Sequence, residues 1–109
     1  MEQSAALAAF SALSHETRLE ILRLLVRAGP GGMVAGAIAD RTNASASRLS
    51  FHLQAMEQAG LLSSLKQSRN VIYRVDFDRL RHLVQYLTND CCGAHPDVCR
   101  PARSTIGAD

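Results

Sequence analysis

A chain of 109 residues that is 47% hydrophobic suits one small domain with a short appendage, and is too apolar for wholesale disorder. It holds no apolar run of membrane-spanning length, and a net charge of +2 does not by itself announce a nucleic-acid partner. Eleven of the twelve basic residues are Arg, with Lys66 the only Lys. Arginine's planar fork of donors suits phosphates and guanine edges, but a GC-rich coding sequence gives the same bias, so the placement of the bases has to decide.

The N-terminus Met1-Glu2-Gln3 is acidic and lacks a signal-peptide layout, so a cytoplasmic protein with no membrane partner is expected. Three cysteines, an odd number clustered near the C-terminus, fit poorly with a secreted disulfide framework and point to metal binding or redox chemistry. A domain this small buries limited apolar surface, so dimerisation through spare helical faces is expected.

In chain order, residues 3–13 are Ala- and Leu-rich without a breaker and predict a short helix. Ser14-His15-Glu16-Thr17 resembles a cap led by Ser14, without the Glu of a full capping box. The next helix carries Leu19, Leu22 and Val26 on one stripe, widened by Ile21 and Leu25, and Gly29-Pro30-Gly31-Gly32 ends it. Residues 34–41 predict a short helix of small side chains. Thr42-Asn43-Ala44 is a turn, and Ser45 or Asn43 caps a helix over 46–59 that Gly60 terminates. Two helices joined by so short a turn form a helix-turn-helix pattern.

Past Gly60 the period changes from helical to alternating. Residues 61–66 and 70–75 predict two strands, with Gln67-Ser68-Arg69 as a polar, basic hairpin tip. Asp76-Phe77-Asp78 then opens a last helix striped by Leu80, Leu83, Val84 and Leu87, its acidic first turn complementing the helix dipole.

With Leu49 at the centre of the buried face of helix 46–59, Leu53 and Met56 fall beside it. Ser47, Phe51, Gln54 and Gln58 fall opposite, flanked by Arg48 and Ser50. The outer face is rich in donors, as a helix lying in a DNA major groove requires. Ser45, Ser47 and Ser50 suit phosphates or base edges, Arg48 and Gln54 suit bases, and Phe51 suits a thymine methyl. An outward Phe51 equally suits packing against a partner chain or a neighbouring helix. His52 borders the buried stripe and suits a structural hydrogen bond as well as a place in the DNA-contacting set. Lys66 and Arg69 at the hairpin tip read as a wing on the DNA backbone or as a solvated turn; beside a helix-turn-helix the wing is favoured.

The run Leu13-Ser14-His15-Glu16-Thr17-Arg18-Leu19-Glu20-Ile21-Leu22-Arg23-Leu24-Leu25 resembles the "LADPTRLRILRLL" helix of the ArsR/SmtB metalloregulatory repressors. Ser45-x-Ser47-x-Leu49-Ser50-x-His52-Leu53 followed by Met56-x-x-Ala59-Gly60-Leu61-Leu62 is similar to that family's "S-x-S-x-V-S-x-H-L…L-x-x-A-G-L-V". Val71-Ile72-Tyr73-Arg74-Val75 resembles its "V-x-Y-x-L". The resemblance spans roughly residues 6–87. It implies a mainly α fold with a β-hairpin wing: a homodimeric winged helix-turn-helix that binds an inverted-repeat operator in double-stranded DNA and lets go when an effector binds.

Members of the family place their effector sites differently. At the "ELCVCDL" thiolate site this chain has Val34 and Gly36 where the cysteines would be, so that site is absent. For a zinc site on the last helix it offers Asp76, Asp78 and His82, with no His-x-x-Glu or His-x-x-His following. The tail remains. The resemblance to an arsenite-sensing branch, which uses a Cys-Cys…Cys set just beyond this helix, implies Cys91, Cys92 and Cys99 as ligands. Residues 1–89 then form the DNA-binding and dimerisation domain, and 90–109 a metalloid-binding tail. Thiolates select soft ions, and three of them suit a pyramidal As(III) or Sb(III) as inducer. His95 also permits a Cys3His zinc or cadmium site. A disulfide between Cys99 and Cys91 or Cys92 would make a redox regulator instead. Catalysis is not expected: the Cys-x5-Arg cradle of an arsenate reductase is missing, since Arg100 adjoins Cys99 and lies too far from Cys92.

Overall fold

Apolar side chains crowd one helix, α2 (Glu16–Ala28), and the way it packs organises the rest of the chain. The computed structural model describes residues 1–91, with side chains through Thr88. α1 (Gln3–Leu13) precedes α2, and a single 3-10 turn (Gly29–Gly31) follows it. Then come β1 (Met33–Val34), α3 (Ala35–Thr42), α4 (Ala46–Gln58), β2 (Leu62–Gln67), β3 (Asn70–Val75) and α5 (Phe77–Gln85). The backbone continues from α5 in a wider, π-type winding over Tyr86–Cys91.

The main core joins Ile21, Leu22, Leu24 and Leu25 of α2 to Ile38 of α3, to Leu49, Leu53 and Met56 of α4, and to Leu62 and Val75 of the hairpin. Each such side chain removed from water contributes roughly 1.5–3 kcal/mol. The stripe on α2 is centred one position away from the expected one, on Ile21 and Leu25, one turn apart. Leu19 and Val26 consequently lie exposed at its edge. A second, smaller core lies under α1, whose Ala6, Ala9 and Ala12 are small enough to bring its backbone close to Leu61 and to Leu83 of α5.

The cap of α2 also differs from expectation. Ser14 closes α1, its N–H donating to the Ser11 carbonyl. His15 is the extended residue before α2, and its Nδ1 accepts from the Thr17 N–H at 3.2 Å. The better capping residue type therefore lost to the residue in the right register.

The sheet has three antiparallel strands in the order β1-β3-β2, one more than the alternation of residues predicted. Met33 pairs with Tyr73 and Val34 with Ile72. Gly32 makes this possible: at φ +69°, its backbone runs so close to β3 that a Cβ would lie 2.3 Å from the Tyr73 carbonyl oxygen. The hairpin itself turns at Ser68 and Arg69, with Gln67 and Asn70 already paired and Ser68 at φ 56°.

Asp76 caps α5 by accepting the Arg79 N–H on Oδ1 at 3.1 Å, and Asp78 is ion-paired with Arg81. Both carboxylates considered for a zinc site are thus spent on local structure. α5 buries Leu83, half-buries Leu80 and leaves Val84 exposed, and Leu87 on the winding that follows is exposed too. Among the described residues no helix is long and apolar enough to cross a membrane.

Candidate nucleic-acid interface

α3 and α4 are joined by a turn that the sequence makes tight. Asn43 closes α3 in the left-handed region at φ 57°, a conformation its short amide side chain tolerates. Ser45 then opens α4, its Oγ accepting the Arg48 N–H at 3.3 Å. Behind this turn, α4 buries Leu49, His52, Leu53 and Met56. Its opposite face leaves Ser47, Arg48, Ser50, Phe51, Gln54 and Gln58 exposed, a donor-rich face that runs the length of the helix.

Phe51 is the most exposed large apolar side chain of the described residues, at 65%. Its ring is held from two sides: the Arg18 guanidinium carbon lies 5.5 Å from its centroid, and the His52 ring meets it edge-on at 5.8 Å. No hydrophobic neighbour covers its outer surface among the described residues, which removes packing against a neighbouring helix of the same chain as its role.

His52 is set apart from that exposed surface. It is 7% exposed, and its Nδ1 accepts the Nε–H of Arg18 at 3.0 Å. The His15 ring lies 4.5 Å away, centroid to centroid. Burial, with the nearby His15, Arg18 and Arg48, holds the His52 pKa below the usual histidine value, so the ring stays neutral and able to accept. His52 therefore stands behind the outward face and fixes it to α2.

Sequence reasoning missed Arg18 as a member of this assembly. The available signal was a charged residue one turn before Leu22, on the inward side of an apolar helix, a position that demands a partner. Arg18 also reaches the Ala12 carbonyl at 3.5 Å, so one side chain touches α1, α2 and α4.

Lys66 on β2 and Arg69 in the turn are both exposed at the end of the hairpin. The base of that hairpin is tied to α4 by the Ser64 hydroxyl, which donates to the Glu57 carboxylate at 2.8 Å. An apolar depression of about 280 Å³ separates hairpin from helices, walled by Ala39, Leu49, Leu53, Val71 and Tyr73, with Ser50 on its rim. Burial and the Glu57 charge push the Tyr73 pKa up, so its hydroxyl stays protonated.

Cys91 ends the described stretch, on the winding that prolongs α5. Its side chain, together with Cys92, His95 and Cys99, lies outside the described residues.

A family model described as a helix-turn-helix domain matches residues 13–64, the span from the end of α1 into β2. The HTH-type transcriptional regulator YgaV of Escherichia coli (strain K12) is 35% identical over 91 residues, covering 84% of this chain and 88% of YgaV. Among solved structures, an ArsR-like transcriptional regulator from Rhodococcus sp. RHA1 superposes with a TM-score of 0.70 at 31% identity, covering 97% of this chain and 95% of that one. The homodimeric winged helix-turn-helix DNA-binding domain of Mb0332 from Mycobacterium bovis, described as a possible ArsR-family regulator, gives 0.65 at 27% identity, over 84% and 82% of the two chains. These relatives are transcriptional regulators rather than enzymes. With its three-stranded wing sheet, its capped reading helix and this likeness along most of its length, the chain belongs to the ArsR-like family of winged helix-turn-helix transcriptional regulators.

Proposed function

We propose that the chain is a homodimeric repressor that occupies an inverted-repeat operator and releases it when Cys91, Cys92 and Cys99 capture As(III) or Sb(III). One observation carries this reading. Val84 of α5 and Leu87 of the winding that prolongs it are exposed apolar residues one turn apart, and the same winding runs on to Cys91, so the thiol cluster begins where a surface suited to a second copy ends.

The DNA-contacting set is Ser45, Ser47, Arg48, Ser50, Phe51 and Gln54 on α4, with Lys66 and Arg69 at the wing tip on the backbone. Two copies of α4 enter successive major grooves about 34 Å apart, so affinity depends on the angle between subunits. Residues 90–109 act as the sensing tail. Three thiols give up their protons on binding a soft ion and draw the tail together. Drawing in the tail pulls on the last turns of α5 and on the dimer contact, and the two reading helices leave groove register. A coupling of about 1–3 kcal/mol, or 5- to 150-fold in DNA affinity, suffices for such a switch.

The test uses the full chain and a duplex selected by the protein from random sequence, followed by fluorescence anisotropy. Arsenite should release the unaltered protein, while Cys91→Ser, Cys92→Ser and Cys99→Ser bind the duplex normally and stay bound. Release of all three variants at the unaltered protein's arsenite concentration would overturn the site. Release by zinc, cadmium or peroxide but not by arsenite would replace the metalloid with that effector.

A further inference from the structure

A depression lined by three arginines lies between α2 and the end of α3, just before the turn into α4. It has a volume of about 290 Å³ and is walled by Glu20, Arg23, Leu24 and Arg27 of α2 and by Arg41 and Thr42 of α3. We infer that Arg23, Arg27 and Arg41 form a second, sequence-independent phosphate-binding surface that grips the DNA backbone beside the major-groove contact. This rests on the chain's being a DNA-binding regulator, and is independent of its effector.

The charges are unspent. All three arginines are exposed, and among the described residues none of their side chains has a hydrogen bond or ion pair. Glu20 is the single carboxylate in the lining and comes within ion-pair distance of none of them. Arg27 and Arg41 sit in the last turns of α2 and α3, where they complement the helix dipoles. Arg23, in the middle of α2, has no such local reason, and it stands one turn before Arg27 on the same face.

The surface lies close along the chain to the start of α4. Arg41 precedes Ser45 by four residues, so the chain itself keeps the two within about 14 Å. Along one DNA strand a phosphate recurs about every 3.4 Å of helix axis, so a backbone running past the N-terminus of α4 offers several phosphates within that reach. Arg41 and the exposed Arg48 thus flank one short turn, and Arg23 and Arg27 extend the row of charge along α2.

Duplex DNA fits this surface better than an acidic protein does. A protein docking site needs a desolvated centre of aromatic or aliphatic anchors, and the only large apolar side chain in this lining is Leu24, itself buried. Guanidinium groups on phosphates need no such centre. They position the protein without reading sequence.

The probe is a duplex of arbitrary sequence about four helical turns long, titrated by anisotropy across about 50–200 mM KCl. The R23Q/R27Q/R41Q variant should show a dependence of log K on log[KCl] shallower by about one for each arginine withdrawn from a phosphate in each bound subunit. R23K/R27K/R41K, which keeps the charge, should recover most of the slope. A glutamine variant with the slope of the unaltered protein would overturn the inference and leave the pocket to another anion. If the unaltered protein does not bind duplex DNA at any salt concentration, this inference and the DNA-binding reading fall together; if it binds with no salt dependence, only this inference falls. Should the triple variant melt early, R23Q/R27Q carries the same comparison with about two-thirds of the effect.

Discussion

Arg18 and His52, 34 residues apart in the chain, meet at 3.0 Å, the arginine Nε–H donating to the histidine Nδ1. The same guanidinium lies over the exposed Phe51 ring, so one side chain of α2 sets the rotation of α4 about its own axis. A helix that reads a groove is only as useful as that rotation is fixed.

Arg18→Ala is therefore expected to act on stability and on DNA binding together. An acceptor left unmatched in a buried ring costs about 1–3 kcal/mol, and the lost cation–π contact about 0.5–1 more. At about 4–8 °C per kcal/mol for a domain of this size, the melting temperature should fall by roughly 6 °C or more. Arg18→Lys keeps the charge but has no Nε–H at the required place, and should melt close to the alanine variant. Circular dichroism melts decide this; a lysine variant as stable as the parent would show that charge, not the Nε–H donor, holds α4.

The same bond predicts a pH dependence with a definite sign. An accepting Nδ1 carries no proton, so the native state holds neutral His52, and its pKa lies below the ordinary 6.5. Between that lowered value and 6.5 the unfolded chain binds more protons than the native one, so stability rises with pH in this window. Acidification through pH 6.5 should accordingly lower the melting temperature, the loss continuing until the native ring itself titrates. His52→Asn keeps an acceptor that does not titrate and should flatten that part of the profile. An asparagine variant with the parent's full acid sensitivity would place the effect elsewhere.

Arg18 also marks the boundary of what the sequence discloses. Periodicity located the helices and the hairpin because each repeats over several turns or residue pairs, and the capped turn of Asn43 and Ser45 has local chemistry. The inward face of α2 was ambiguous for the opposite reason: Leu19, Ile21, Leu22, Leu24, Leu25 and Val26 ring most of the helix, and only α3 and α4 decide which of them are covered. The outward residues of α4 followed from helical geometry once Leu49 was set inside. The Arg18–His52 bond joins distant positions and has no period. Met33-Val34 is likewise too short to alternate, and is a strand only because β3 lies beside it.

That dependence makes Gly32 a sharper structural probe than the other glycines of its run. Gly31 has open space where a Cβ would go, whereas a Cβ on Gly32 would meet the Tyr73 backbone oxygen at 2.3 Å and the residue sits at φ +69°. Gly31→Ala should be tolerated within about 0.5 kcal/mol. Gly32→Ala combines a left-handed backbone with a clash against main chain that cannot swing away, and should cost more than about 2 kcal/mol while detaching β1 from β3. Urea unfolding of the two variants compares them directly; equal midpoints would mean that β1 contributes nothing to the wing.

The exposed apolar residues of the terminal helices give the last prediction. Leu7 of α1 is 59% exposed and Val84 of α5 54%, with Leu87 one turn beyond Val84. These helices share the small core of Ala6, Ala9 and Leu83, with Leu7, Val84 and Leu87 left exposed outside it. If those residues form the dimer contact, a two-fold axis counts each substitution twice. Leu87 is 40% exposed, so a dimer contact covering the rest of it contributes roughly 0.6–1.2 kcal/mol per copy. That is about 1.2–2.4 kcal/mol per dimer, or roughly 10- to 60-fold in the dimer dissociation constant, and desolvating a carboxylate there adds to the loss. Leu87→Glu should therefore sediment as a monomer at concentrations where the parent is dimeric, and lose affinity for a two-half-site duplex while keeping its helical circular dichroism. Leu19→Glu, at an exposed leucine on α2, serves as the control and should leave the assembly state unchanged. A dimer that survives Leu87→Glu but not Leu19→Glu would move the interface from α1 and α5 to the outer edge of α2, and would remove the direct mechanical link between the cysteine tail and the spacing of the reading helices.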